Sequence, residues 1–224
     1  MKRSEINKII KDAKDFMVSR QFILPPWAYW SLEDWKANKE KAREVIINNM
    51  GWDITDFGSG NFKERGLFLF TIRNGKLNVD KKPYSEKVMI VQENQETPMH
   101  FHWNKMEDII NRGGGNLVIE LINSKPDNSM DTTPVEFKKD GIQGTVESGG
   151  KVVLAPGDSI CLTQGMYHRF YGEVGKGTVL VGEVSAVNDD MSDNCFYEEI
   201  GRFPVVDEDE PPLHLLVSDY EKFL

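Results

Sequence analysis

Apolar positions along the chain change their spacing near residue 51. Before it they recur as on a helix: Ile6, Ile9, Ile10, Ala13, Phe16 and Met17 form one stripe behind Ser4, a residue type that caps helices, so the first segment reads as an amphipathic helix built to dock. Pro25-Pro26 ends that pattern. Trp27, Tyr29 and Trp30 then make an aromatic cluster suited to covering a barrel mouth, to a subunit contact or to plain core packing. Ser31 caps a second helical segment, which continues from Lys39 to Met50 and stops at Gly51. From Trp52 onward the runs are those of short strands: LFLFTIR, a tight turn at Asn74-Gly75, then KLNV, SEKVMIV, NLVIELI, PVEF, KVVL, SICL, HRFY and TVLVGEV. These suffice for a closed or two-sheet barrel. The expected fold is mainly β: one domain over 1–224, with a helical arm at 1–51, a β-barrel at 52–206 and a C-terminal extension at 207–224. Asp207 to Pro212 is acidic and proline-rich and reads as a surface loop, after which HLLVSDYEKF can fold back on the N-terminal helix.

Composition narrows the function classes. The 224 residues include 27 basic and 36 acidic ones, a net charge of −9 that repels phosphate backbones and anionic membranes, so neither nucleic acid nor a membrane surface is expected as a partner. No apolar run approaches the roughly 18 residues that span a bilayer, and the charged N-terminus lacks the apolar core of a signal peptide. A cytoplasmic protein is expected. Cys161 and Cys195 offer neither a disulfide framework nor a sulfur metal site.

The candidate chemistry lies in TPMHFHWNKMEDIINRGGG, residues 97–115. His100 and His102 stand two apart, so on a strand both imidazoles share one face, and Glu107 follows at a spacing that a bend can bring to the same point. Two imidazoles and a carboxylate are a ligand set that divalent metals with open positions use. The bland alternative is a surface strand with two solvated or ring-packed histidines. Against it, the chain has only four histidines, and a third, His168, stands on another strand after Pro156-Gly157-Asp158 and a Gln164-Gly165 turn.

The order H-x-H-x4-E, three glycines (Gly113 to Gly115), then P-G-D-x9-H resembles the paired motifs of the cupin superfamily. Asn123 to Gly150, rich in Asp, Ser, Pro and Gly, reads as an insertion between them. The resemblance implies a small β-barrel of jelly-roll type in which His100, His102, Glu107 and His168 hold one divalent metal. More narrowly, PMHFHWNKMEDIINRGGG, APGDSICLTQGMYHRFYGE, GEVSAVNDDMSDN and GRFPVVDEDEPP are similar to the D-lyxose isomerase family of cupins, with Cys195 departing from the family pattern. That resemblance implies an aldose-ketose isomerase for free sugars. Nitrogen and oxygen donors discriminate weakly among metals; manganese is expected first, with zinc, cobalt, nickel or iron able to replace it.

Such a reaction needs a base beside the metal. Val179, Val181 and Glu183 share a parity on TVLVGEVS, so an inward apolar run ends in a carboxylate, expected as the base, with a partner orienting His168 or an exposed side chain as the alternatives. Lys105 sits on the bend between the ligands and could hold a sugar oxygen or neutralise an enediolate, although a turn lysine is more often solvated. Asp190, with Asp189, follows on the next loop as a candidate acid or hydroxyl binder; Arg202 and Glu120 are weaker candidates, Glu120 sharing the parity of Val118 and Ile122 that would turn it inward, as a second proton-relay carboxylate or a salt-bridge partner. A phosphosugar would want clustered basic residues, and the second motif offers only Arg169, so a neutral sugar is the expected partner. An iron dioxygenase or oxidase, or a non-catalytic sugar-binding cupin, would use the same ligands. A homodimer is expected from symmetry statistics and the aromatic arm.

Overall fold

The computed structural model describes residues 1–79, 81–189, 192–201 and 204–224. Helix α1 (Arg3–Ser19), a 3-10 turn at Pro26–Tyr29, α2 (Leu32–Asn38) and α3 (Arg43–Ile47) precede the strands, and a short α4 (Tyr220–Phe223) closes the chain. The strands are β1 (Gly51–Thr55), β2 (Leu67–Asn74), β3 (Tyr84–Val91), β4 (Thr97–His102), β5 (Glu107–Gly114), β6 (Leu117–Asn123) and β7 (Val135–Lys139). After them come β8 (Ile142–Val146), β9 (Gly150–Leu154), β10 (Ser159–Leu162), β11 (Met166–Gly172), β12 (Val179–Ala186) and β13 (Asn194–Phe196).

Two antiparallel sheets face each other, in the orders β1-β2-β3-β12-β5-β10-β7-β8 and β13-β4-β11-β6-β9. Between them lies a core of Leu67, Leu69, Met89, Val91, Ile109, Ile119, Leu121, Phe170, Val179, Val181 and their neighbours. The larger sheet is also covered outside, where Phe68, Phe70, Val88, Ile90 and Leu180 meet Ile6, Ile10, Ala13 and Met17 of α1. Burial on both faces explains why LFLF and VMIV are continuous apolar runs and not alternating ones. The insertion between the two motifs builds β7 and β8, a hairpin added to the sheet edge through β10. Among the described residues no helix is long and apolar enough to cross a membrane.

Several local expectations change. Ser4 is not the cap of α1, which starts at Arg3; its N–H and hydroxyl instead donate to the Asp209 carboxylate at 2.9 and 2.6 Å. The acidic stretch at 207–210 is thus more than a surface loop: Glu208 holds Arg3, Asp209 holds Ser4 and Glu210 holds Asn7, placing negative charge where the first turn of a helix favours it. Ser31 does cap α2, in a reciprocal box with Asp34. The segment after it breaks into two short helices, and Asn49, at φ +50°, ends α3: its N–H bonds Ile46 while the Met50 N–H bonds Val45. Gly51 serves another purpose, since a Cβ there would stand 2.5 Å from the Tyr220 hydroxyl. KLNV forms no strand. Leu77 and Val79 are exposed, and β2 runs to Asn74, whose buried side chain donates to Asn48 O and Asn188 O. Trp27 stacks on Phe70 and Trp30 meets Trp35 edge-on, so these two rings pack outside the larger sheet.

Candidate active site

Strand alternation puts His100 and His102 on the inner face of β4, with Phe101 between them packed outward against Trp103 and Tyr167. Strand β11 runs antiparallel to β4 with His168 opposite His100, and the two rings lie 4.3 Å apart. One ring nitrogen from each of the three histidines falls within 4.8 Å of the others. The chain turns at 103–106, and β5 opens on Glu107, whose Oε1 lies 3.2 Å from His168 Nε2 and 3.5 Å from His102 Nε2.

The hydrogen bonds of the rings decide what these nitrogens are. His100 Nδ1 meets Pro98 O at 2.7 Å, His168 Nδ1 meets Met166 O at 3.0 Å and His102 Nδ1 meets Asp193 O at 3.3 Å. A carbonyl only accepts, so each Nδ1 carries the proton and each Nε2 of a neutral ring presents a lone pair. Burial holds His102 below its ordinary pKa and His100 well below it, so both are neutral near pH 7. His102 Nε2 and His168 Nε2 are buried without a hydrogen-bond donor. Burial alone would raise the Glu107 pKa; the Lys105 ammonium, 2.7 Å from Oε2, outweighs it and holds the carboxyl well below its usual range. The His102 lone pair therefore faces an anionic oxygen at 3.5 Å, which is repulsive unless a cation sits between them, and His168 Nε2 lies 3.2 Å from the same oxygen. A metal fits this donor set.

Glu183 stands where its parity placed it, buried on the inner face of β12. Lys105 Nζ donates to its Oε1 at 3.0 Å, Lys87 Nζ lies 3.3 Å away, and the Ser185 hydroxyl, with one proton to give, lies 3.1 Å from the same oxygen and 2.8 Å from Ala186 O. Lys105 is buried and bridges Glu107 to Glu183, against the usual solvated turn lysine. Four groups of this cluster escape a reading of the chain. Lys87 shares the inward parity of Met89 and Val91 and pairs with Glu183 in register, the same signal that reveals Glu183. Ser185 sits two residues beyond Glu183 on the same face. Asn188 and Asp193 lie in a loop with no periodicity to betray them; Asn188 Oδ1 accepts from Lys87 at 2.6 Å.

Other candidates are elsewhere. Glu120 is not turned inward: Ile119 and Leu121 take the core face of β6, and Glu120 accepts from Arg169 at 2.9 and 3.1 Å on the other side. Asp189 shapes its own loop, accepting from the Ser192 hydroxyl and, through its carbonyl, from Asp193 N. Asp190 and Arg202 lie outside the described residues. The cavity lined by His100, His102, Lys105, Glu107, Lys87 and Glu183 is about 50 Å³; a larger cleft of about 480 Å³ at the β1 edge shares Asn188's neighbourhood but none of the histidines.

The family profile of D-lyxose isomerase matches residues 1–220. The chain belongs to the D-lyxose isomerase family. Among its relatives, the D-lyxose/D-mannose isomerases of Serratia proteamaculans and Escherichia coli O157:H7 are 46% and 45% identical, each aligned over 100% of both chains. Among solved structures, Cellulomonas parahominis L-ribose isomerase with L-ribose superposes with a TM-score of 0.63 at 16% identity, covering 92% of this chain and 98% of that one. Acinetobacter sp. DL28 L-ribose isomerase in complex with L-ribose gives 0.61 at 14% identity, covering 92% of this chain and 98% of that one. The structural likeness establishes the cupin fold, and family membership establishes an isomerase. In this D-lyxose isomerase family member, Cys195 lies on β13 with Sγ 3.8 Å from the Tyr167 hydroxyl, on the outer side of the smaller sheet.

Proposed function

We propose that the chain is a metal-dependent aldose-ketose isomerase for free neutral sugars, interconverting D-lyxose and D-xylulose and, as its relatives' names indicate, also taking D-mannose. The observation that supports it best is the convergence of unpartnered imidazole nitrogens and Glu107 beside a buried Glu183–Lys105 pair. His100, His102, Glu107 and His168 would hold the divalent ion, manganese first. When bound, such an ion polarises the carbonyl and hydroxyl oxygens of the sugar and offsets the charge of an enediolate. The remaining work falls to this chain's own groups. Glu183 takes the proton from one carbon and returns it to the next; its Oε1 is held by Lys105 and Lys87, which leaves Oε2 for the sugar. Lys105 supplies a fixed positive charge between the ligand and the base, and Lys87 with Asn188 offers donors for hydroxyls. Both ammonium groups are already matched by carboxylates, and Arg169 is engaged by Glu120 and Glu96, which favours a neutral sugar over a phosphosugar. The proposal retains the cytoplasmic homodimer expected from the sequence.

The test is anaerobic incubation of chelator-stripped, manganese-reloaded protein with a panel of free aldoses and ketoses. Aldose-ketose conversion without oxygen is expected; sugar-dependent oxygen uptake with no isomerisation would overturn the assignment. The ligand set is checked separately. His100→Ala, His102→Ala, Glu107→Ala and His168→Ala are each expected to lose metal on dialysis, because one donor of four is gone. Elemental analysis reading full occupancy in two of these variants would exclude the four-ligand site.

A further inference from the structure

Between the ligands of β4 and the ligand that opens β5 the chain has only Trp103 to Met106 in which to reverse, and the backbone N–H groups of residues 103 to 105 find their acceptors in one distant residue. Asp193, buried just before β13, accepts from Asn104 N at 2.7 Å and Asn104 Nδ2 at 3.0 Å through Oδ1, and from Lys105 N at 2.9 Å through Oδ2. Its backbone carbonyl takes Trp103 N at 3.3 Å and His102 Nδ1 at 3.3 Å. Residues 102 to 105 thus all donate to Asp193. The loop that delivers it is itself pinned, since Asn188 exchanges backbone and side-chain hydrogen bonds with Asn74 and Asp193 N donates to Asp189 O.

We propose that the Asp193 carboxylate is a positioning group of the metal centre: it fixes the turn that aims His102, Lys105 and Glu107 at one point, while the backbone carbonyl of the same residue holds the Nδ1–H tautomer of His102. This rests on the metal reading above and adds to it the group that organises the ligands. A buried carboxylate accepting several N–H groups forms charge-assisted bonds, stronger than neutral ones, so its removal releases the turn and not only one contact. The loop from β12, which carries Glu183, is by the same residue locked to the turn that carries Lys105. Base and ligands are therefore held in one frame.

The probe is Co²⁺ alone, titrated against a competing chelator and followed by its visible spectrum, with the metal-free thermal midpoint measured in parallel. Asp193→Ala is expected to weaken Co²⁺ binding by about 10- to 100-fold and to alter the ligand-field bands, the usual size of outer-shell effects. Asp193→Asn keeps an acceptor for Asn104 but sets an amide against Lys105 N, so its affinity should fall between wild type and alanine; this variant decides the matter if the alanine protein does not fold. Wild-type affinity and spectrum in either variant, with only the metal-free midpoint lowered, would reduce Asp193 to a loop staple and overturn the proposal. Undiminished Co²⁺ binding by both His100→Ala and His168→Ala would instead remove the metal centre itself, and the proposal with it.

Discussion

Glu183→Gln is expected to lower turnover by about 100-fold or more while leaving the metal content unchanged, because the amide keeps the shape and an acceptor for Lys105 but has no basic oxygen. Sugar binding should survive, so the loss appears in kcat more than in KM. Run in heavy water, the wild-type enzyme should place solvent deuterium on the product carbon, since a carboxylate proton exchanges during the lifetime of an enediol. The two readouts work together. Solvent deuterium in the wild type with a crippled glutamine variant supports Glu183 as base; exchange with an unimpaired variant assigns the proton to another group, and Glu120 is excluded because Arg169 holds it on the far side of β6. No exchange and no loss of rate would remove Glu183 from the reaction and point to a hydride shift.

Arg3→Met should destabilise the fold by about 3–5 kcal/mol, the cost of stranding a buried charge. Arg3 is fully buried and makes paired hydrogen bonds of 2.8 Å to Asp219, together with bonds of 2.8 and 2.9 Å to Glu208. Methionine fills the stem but leaves the buried Asp219 carboxylate without its cation. For a chain of this size the thermal midpoint should drop by roughly 10 °C, and a change below about 2 °C would show that water relieves the stranded charge. Acid should act on the same clasp. The Arg3 hydrogen bond, with Lys222, holds Glu208 down at about 2 from its usual 4.5. A depressed carboxylate contributes stability that is present above its unfolded pKa and lost as pH falls through the folded one, so this contribution should fade between about pH 4.5 and 2 in the wild type and be weakened in Arg3→Met.

What the chain reveals by itself depends on how many faces of a strand are buried. His100, His102 and Glu183 were legible because a polar side chain repeating at period two in an apolar run must point somewhere definite, and that place is the barrel interior. Lys87 obeys the same rule yet is masked, because β3 is buried on both faces and VMIV carries no alternation against which a lysine would stand out. Glu120 was misplaced for the same reason: Val118 and Ile122 outside and Ile119 and Leu121 inside are all apolar, so β6 has no parity signal. Asn188 and Asp193 act through a tertiary path, joining elements about 90 residues apart in the chain, and no local pattern encodes such a meeting. The helices were read correctly in kind, but the run to Gly51 concealed two short helices and an asparagine stop.

The clasp at Arg3 also bears on the order in which the protein is made. Arg3 and Asp219 are separated by 216 positions, so at synthesis rates of about 5–20 residues per second the first helix waits on the order of 10 to 40 s for the carboxylates that complete its first turn. During that interval the sheet face it covers is also incomplete, because β12 must emerge before Leu180 can join Ile6 and Ile10. An amphipathic segment of 17 residues is marginal as a helix on its own, leaving its apolar stripe open to nascent-chain chaperones or to other unfinished copies. Damage to Arg3 should then be felt mainly as a lower yield of folded chain from the ribosome, while the molecules that do fold turn over sugar at the ordinary rate.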